Sequence, residues 1–214
     1  MLTSTINLNS QIYYKQGHYQ IVQLTEEVIH LYIKCFVDLE HKTLSELGDR
    51  YANQQWTEQH YLRDLPGKWK YSLCALDTTY NCIVGFLITS LWENNLHLHR
   101  ILVDSDFRGY ISDSEGGVFS LSERFYSILF KKAFEDHLEY FTAEVSYGNK
   151  IVRDTYLRHG YELLDEKEKL LWFIQGKKLN AQACEDHIFV EGDKNFVVRK
   201  KISEAIEYKQ KYAS

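Results

Sequence analysis

The chain has 214 residues, 44% hydrophobic and 14% aromatic, enough for one domain with a sizeable core or one domain plus an extension. A formal charge of −5 argues against a general nucleic-acid or anionic-membrane binder, and no apolar run approaches the roughly 20 residues that span a bilayer. Cys35, Cys74, Cys82 and Cys184 are scattered with no CxxC pair, which predicts reduced thiols in a cytoplasmic protein, and the N-terminus lacks the basic start and apolar run of a secretion signal.

Residues 1–17 are polar and mixed and read as an N-terminal arm. YQIVQL, Tyr19 to Leu24, reads as a strand. Thr25 caps the following helix, with Glu26 and Glu27 at its positive end, and Val28, Leu31, Tyr32, Cys35, Phe36 and Leu39 recur at helical spacing. A second helical region is expected from about Thr43 to Leu65, stopped by Pro66-Gly67. The period then changes. Tyr71–Leu76 and Cys82–Thr89, separated by DTTYN, predict a hairpin, and a turn at Trp92–Asn95 leads into a third strand, Leu96–Val103. A polar loop with Gly109, Gly116 and Gly117 follows. A helix then begins near Gly117 to Ser120 and reaches about His137, with Ser120 to Glu123 as a capping box. Tyr140–Ser146 reads as a strand, Asn149–His159 as a short helix stopped by Gly160, and Tyr161–Leu164 and Leu170–Ile174 as two more strands. The remainder, 177–214, reads as a C-terminal extension: a hairpin around IFVEGDKNFVV, then a charged helix from about Ile202 to Tyr212. This order, β-α-α-β-β-β-α-β-α-β-β, predicts an α/β (α+β) fold in which an antiparallel meander feeds a crossover helix.

Two stretches carry chemistry. A strand–loop–helix junction can hold a phosphate on the unsatisfied N–H groups of a helix start, and Arg108 stands where it would add a charged bond; an ordinary connector has the same pattern. The second stretch is NKIVRDTYLRHGYEL, Asn149 to Leu163. It resembles a motif of the GNAT superfamily of acetyl-CoA-dependent N-acetyltransferases: an asparagine, a tyrosine seven residues on, then a basic residue, a glycine and an aromatic. Asn149, Tyr156, Arg158, Gly160 and Tyr161 fit that spacing, and Ile101-Leu102-Val103 followed by Arg108 resembles the end of that family's fourth strand. The resemblance covers Tyr19 to Gln175, within a domain expected over 18–176. One feature departs from it: Ile111 and Asp113 stand where the family's pyrophosphate loop has small residues, so Gly116 and Gly117 are the candidates to replace them.

The resemblance implies a central mixed, mostly antiparallel sheet flanked by helices, and transfer of an acetyl group from acetyl-CoA to a primary amine of a small molecule. It implies pantetheine contacts at Ile101, Leu102 and Val103, pyrophosphate contacts at Arg108, Gly109, Gly116 and Gly117, and Tyr156 as the acid that protonates the leaving thiolate. Asn149 either contacts the cofactor or only caps its helix. His97 and His99 share a strand face. The resemblance implies a base or proton relay for them, with Glu144 as the reserve base; by themselves they also read as a half-exposed polar face or as two ligands of a metal. Tyr51, Trp56, Tyr61 and Trp69 line an acceptor cleft or fill the core. Neither nucleic acid nor membrane is expected as a partner, and a homodimer is compatible with the reading. The rival functions are acyl transfer from a longer or carrier-protein-bound donor and a non-catalytic ligand-binding module.

Overall fold

The structure, a computed structural model, describes residues 11–47, 55–112, 118–146, 149–179 and 195–205. In chain order the elements are β1 (Ile12–Gln16), β2 (Tyr19–Gln23), α1 (Glu26–Leu47), α2 (Glu58–Leu62), α3 (Lys68–Tyr71), β3 (Leu73–Asp77), β4 (Cys82–Trp92) and β5 (Asn95–Val103). There follow β6 (Ile111–Ser112), β7 (Val118–Phe119), α4 (Leu121–Glu135), β8 (Tyr140–Ser146), α5 (Lys150–Arg158), β9 (Glu162–Leu163), α6 (Glu166–Leu179) and β10 (Asn195–Lys201). The larger sheet has the order β1-β2-β3-β4-β5-β8-β10-β9, and β6-β7 is a separate ribbon. β5 and β8 run parallel; β1–β2, β2–β3, β3–β4, β8–β10 and β10–β9 are antiparallel. This is the mixed, mostly antiparallel sheet with helices that the resemblance implies. The chain forms two compact units, one of Met1–Asp64, Lys68–Ile88 and Arg100–Leu129, the other of Leu65–Gly67, Thr89–His99 and Phe130–Ser214.

The first unit has its core where β2, β3 and β4 present alternate apolar residues to the helices. Val22, Leu24, Val28, Phe36, Tyr61, Phe86 and Leu102 belong to one buried cluster, and the rings of Phe36, Tyr61 and Phe86 lie 5.1–5.7 Å apart at tilted or edge-on angles. Each such side chain contributes about 1.5–3 kcal/mol when fully buried. Thr25 Oγ1 accepts the N–H of Val28 at 3.3 Å and starts α1 as its sequence predicts. A Cβ on Gly85 would lie 3.1 Å from the Leu102 carbonyl oxygen, so glycine here lets β4 lie close against the end of β5.

A charged hub sits inside this core. Glu40, 1% exposed, accepts from the Tyr61 hydroxyl and lies 3.2 Å from an Arg100 guanidinium nitrogen. Burial and the Glu40 charge hold the Tyr61 phenol far above its ordinary value, so it remains a donor. Lys68 is fully buried, and its Nζ donates to the carbonyls of Tyr61 and Arg63 at 2.5 Å each, satisfying backbone at the end of α2. Burial pulls its pKa down to about 8.

In the second unit β8 is an inner strand with Phe141, Ala143 and Val145 buried, flanked by β5 and β10. Trp92, Trp172 and Val197 form the buried cluster there.

Several expected elements differ. Ile12–Gln16, read as part of an arm, is a strand, because Gly17 at φ 55° folds it back on β2. The helical region expected over Thr43–Leu65 is shorter: α1 runs on to Leu47, α2 covers only Glu58–Leu62, and residues 48–54 lie outside the described ones. Leu170–Ile174, expected as a strand, lies inside α6. The reason is local: Asp165 Oδ1 accepts the N–H of Glu168 at 2.8 Å and Glu168 Oε2 accepts the N–H of Asp165 at 3.2 Å, a reciprocal cap that starts a helix. Of the C-terminal extension, Asn195–Lys201 is the inner strand β10, 202–205 is helical, and 180–194 and 206–214 lie outside the described residues.

Candidate active site

The histidines sit in the second unit on β5. The parallel ladder pairs His97 with Thr142 and ends at Leu98 with Ala143; Glu144 and Val145 continue paired to β10. His97 Nδ1 lies 3.0 Å from Thr142 Oγ1, and His99 Nε2 lies 2.7 Å from Ser90 Oγ. The two imidazoles meet edge to face with centroids 4.7 Å apart, so the expected shared face is real. Its exposure differs from the expectation. His97 is 0% exposed, covered by Trp92 at 4.4 Å and Trp172 at 5.1 Å, whose indoles stack on each other at 4.6 Å. Only His99 of the pair is half-buried. Among the described residues no group of three or more metal-ligating side chains forms.

The hydrogen bonds around His99 suit a proton carrier. Trp92 Nε1 donates to Ser90 Oγ at 3.0 Å. The hydroxyl keeps its own proton to give, and its second lone pair to receive. A neutral His99 therefore accepts from Ser90 at Nε2, and a protonated His99 donates back to the same atom. Thr142 offers His97 the same choice at Nδ1.

Tyr156 lies in the last turn of α5 and is 9% exposed. Its ring packs edge-on against Tyr161 at 4.8 Å, and its carbonyl accepts the N–H of Tyr161 after the chain reverses at Gly160, φ 75°. Burial, and to a lesser degree Tyr156, hold the Tyr161 phenol well above its ordinary value. Asn149 caps α5, accepting the N–H of Val152 at 3.3 Å. Glu144, half-buried, stands two residues beyond Thr142 on β8 and so on the same strand face.

In the first unit the end of β5 is built differently from the expected phosphate loop. Ile101 is half-buried and Leu102 and Val103 are buried. A 3-10 turn at Ser105–Phe107 follows, capped by Asp104, which accepts the N–H of Asp106. Arg108 turns back: its Nε donates to the Val103 carbonyl at 3.0 Å and its guanidinium lies 3.3 Å from Glu46. Gly109 takes φ 78° with open space around it. The expected direct passage into a helix near Gly117 is interrupted by the β6–β7 ribbon, in which Ile111 pairs with Phe119 and Ser112 with Val118, and α4 starts at Leu121. Gly116 and Gly117 lie outside the described residues. Of the four expected acceptor-cleft aromatics, Tyr61 is core, Trp56 and Trp69 pack against the core, and Tyr51 lies outside the described residues.

Sequence reasoning missed Trp92, Trp172, Ser90 and Thr142 as partners of the histidines. For Thr142 the signal was a strand register between distant segments; for Trp172 it was the Asp165–Glu168 cap, which turns a strand-like run into a helix.

No protein-family model matches this sequence, and neither does any curated protein. Solved structures do match by fold. An acetyltransferase of the GNAT family from Listeria monocytogenes superposes with a TM-score of 0.57 at 11% identity, over 89% of this chain and 99% of that one. The ribosomal-protein-S18-alanine N-acetyltransferase of Escherichia coli gives 0.55 at 12% identity, over 86% and 94%. The PaiA N-acetyltransferase of Thermoplasma acidophilum, in complex with coenzyme A, gives 0.53 at 11% identity, over 86% and 98%. The chain thus carries the fold of the GNAT acetyltransferases.

Proposed function

We propose that this GNAT-fold chain is an acyltransferase that moves an acyl group from a coenzyme A thioester, in the finer reading acetyl from acetyl-CoA, to a primary amine of a small molecule. The observation that carries the reading is the pair His97–His99, in ring contact and each bound to a hydroxyl that can either give or take a proton. Amine acylation needs such a device, because only the neutral amine attacks and the nitrogen must shed a proton as the C–N bond forms.

In this proposal the amine nitrogen attacks the thioester carbonyl, and the oxyanion that forms is stabilised by backbone N–H groups. His99 accepts the ammonium proton and Ser90 holds the imidazolium. His97, locked between two indoles and Thr142, keeps the His99 ring in place and shares its proton. Glu144 is the reserve acceptor. As the C–S bond breaks, the Tyr156 hydroxyl gives its proton to the departing thiolate. The phenolate then recovers a proton from solvent, so one proton leaves overall when the amine starts as ammonium. Asn149 acts through the α5 start that it caps.

The test is direct. The purified protein is incubated with acetyl-CoA and a panel of small primary amines, and mass spectrometry follows N-acetyl product against free thiol. The expected result is amine-dependent thiol release matched one to one by N-acetyl product. A panel that releases no thiol above the amine-free control, while CoA does not bind either, rejects acyl transfer.

A further inference from the structure

We infer that Lys200 of β10, under the acyl-transfer reading just given, is the positioning residue of Tyr156: it fixes the end of α5 that presents the phenol, and it offsets the negative charge that Tyr156 carries once its proton has gone to the thiolate. A lysine is rarely buried unless it is paired, and Lys200 is only 9% exposed. Its place follows from the strand. Lys200 pairs with Phe141 of β8 and shares a face of β10 with Phe196 and Val198. Arg153 of α5 lies over the Phe196 ring at 5.3 Å, and the Lys200 ammonium lies 5.4 Å from the centre of the Tyr161 ring. Phe141 meets that same ring edge-on at 5.9 Å.

The ammonium clamps a turn. Lys200 Nζ donates to the carbonyl of His159, the residue that caps the end of α5, and it lies 3.5 Å from where a Cβ on Gly160 would stand. This turn carries the chain from Tyr156 to Tyr161. The Tyr161 N–H returns to the Tyr156 carbonyl at 3.1 Å, and the two rings pack at 4.8 Å. The helix dipole already has a cation in its last turn, because Arg158 stands there and donates to the Asp154 carbonyl and to Thr155 Oγ1. Lys200 adds a second one on the buried side. Burial lowers its pKa, and Glu204 opposes that fall. The two ring distances put the ammonium at most about 10 Å from the centre of the Tyr156 ring, among side chains each less than one-tenth exposed, where a charge is weakly screened. A phenolate on Tyr156 is stabilised there. Burial, with Tyr156 second, holds the Tyr161 phenol well above its ordinary value, so Tyr161 keeps its own proton while Tyr156 gives one up.

The experiment compares four proteins: native, Lys200→Met, Tyr156→Phe and the two combined. It follows single-turnover thiol release from acetyl-CoA with a reactive primary amine, counted above the protein-free rate. Lys200→Met should be about tenfold slower than native, the effect of one charge lost at that range, with CoA affinity and the half-saturating amine concentration within about twofold. Lys200→Arg, which keeps the charge and a donor, should stay within about threefold of native. In the Tyr156→Phe background Lys200→Met should change the rate by less than about twofold, because residues that act as a unit do not add. A Lys200→Met protein with the native rate overturns the inference, and so does an arginine variant as slow as the methionine one. Equal losses in the native and Tyr156→Phe backgrounds, or a loss carried by donor affinity alone, also overturn it and leave Lys200 as a structural cap. Should Lys200→Met not fold, Lys200→Gln, which keeps a donor for the His159 carbonyl and drops the charge, carries the same comparison. In all these cases acyl transfer stands. A native protein that releases no thiol above the protein-free rate with any amine rejects acyl transfer and takes this inference with it.

Discussion

Each unit of the molecule buries a polar hub, and the two are made of different material. In the first, Glu40, Tyr61 and Arg100 are a fixed charge pair with a phenol kept as a donor. In the second, His97 and His99 are imidazoles bound to the hydroxyls of Thr142 and Ser90, bonds that survive a change of tautomer. Both hubs are roofed by indoles: Trp56 lies over Arg100 at 4.9 Å, and Trp92 and Trp172 over His97. A buried ion pair holds elements together only while both partners remain, whereas a relay of hydroxyls and imidazoles can pass a proton and return to its starting state. The first hub is therefore architecture, and under the proposed function the second is chemistry, although both draw on β5.

The largest effect should come from breaking the charge pair. Arg100→Met leaves the Glu40 carboxylate buried without its counter-ion and should cost about 3–5 kcal/mol, read by urea denaturation. Adding Glu40→Gln should return much of that loss, because the stranded charge is gone. No recovery in the double variant would mean that Arg100 acts through packing on Trp56 and not through charge.

Breaking the relay should act on rate. Replacing His97 and His99 together by glutamine should lower turnover about 10²-fold near neutral pH, since a positioned base contributes on that order. The loss should shrink at high pH, where more of the amine is already neutral. Superimposable pH–rate profiles for native and double-variant proteins would assign the base to Glu144 or to water.

Lys68 gives a third contrast, a titratable group inside the architectural unit. Its pKa of about 8 lies below the ordinary 10.5, so between those values the unfolded chain binds more protons than the folded one. Stability from this group therefore rises with pH across that window and is lost as pH falls through about 8. Lys68→Met should cost about 1–3 kcal/mol by leaving the Tyr61 and Arg63 carbonyls unmet, and the gap to the native protein should widen from pH 7.5 to pH 10. Thermal melts at those two values decide it; a constant gap refutes the assignment.

The smallest effect belongs to Thr142→Val, which removes one hydroxyl and keeps the shape. About 1 kcal/mol of stability should go, with a change in the His97 tautomer visible by nitrogen NMR. An unchanged spectrum would mean that Thr142 does not set the state of His97.

Much of this frame was legible in the residues, because the apolar runs 71–76 and 82–89 report strands buried on both faces and period 3.6 in 121–135 reports a helix buried on one. The α5 cap was legible too, since Asn149 and Gly160 act within a few residues of themselves. What escaped involved distance or competition. The sequence offers Arg108 as a phosphate contact, yet its partner Glu46 is 62 residues earlier. β10 lies beyond a long span, and nothing local says that it enters beside β8. Leu170–Ile174 has the apolar run of a strand, and only the Asp165–Glu168 cap, three residues apart, tips it to helix. The tryptophan roof of the histidines follows from that helix and could not be foreseen without it.

The central claim is that Tyr156 completes an acyl transfer to an amine. The measurement that bears on it most directly is the single-turnover rate of thiol release from acetyl-CoA with a reactive amine, native protein beside Tyr156→Phe, with donor affinity measured on the same samples. The account predicts a fall of about 10²–10⁴-fold in rate at nearly unchanged donor affinity, because one hydroxyl is lost and the ring stays packed on Tyr161. A variant that keeps most of the native rate would contradict it and leave Tyr156 as a core residue.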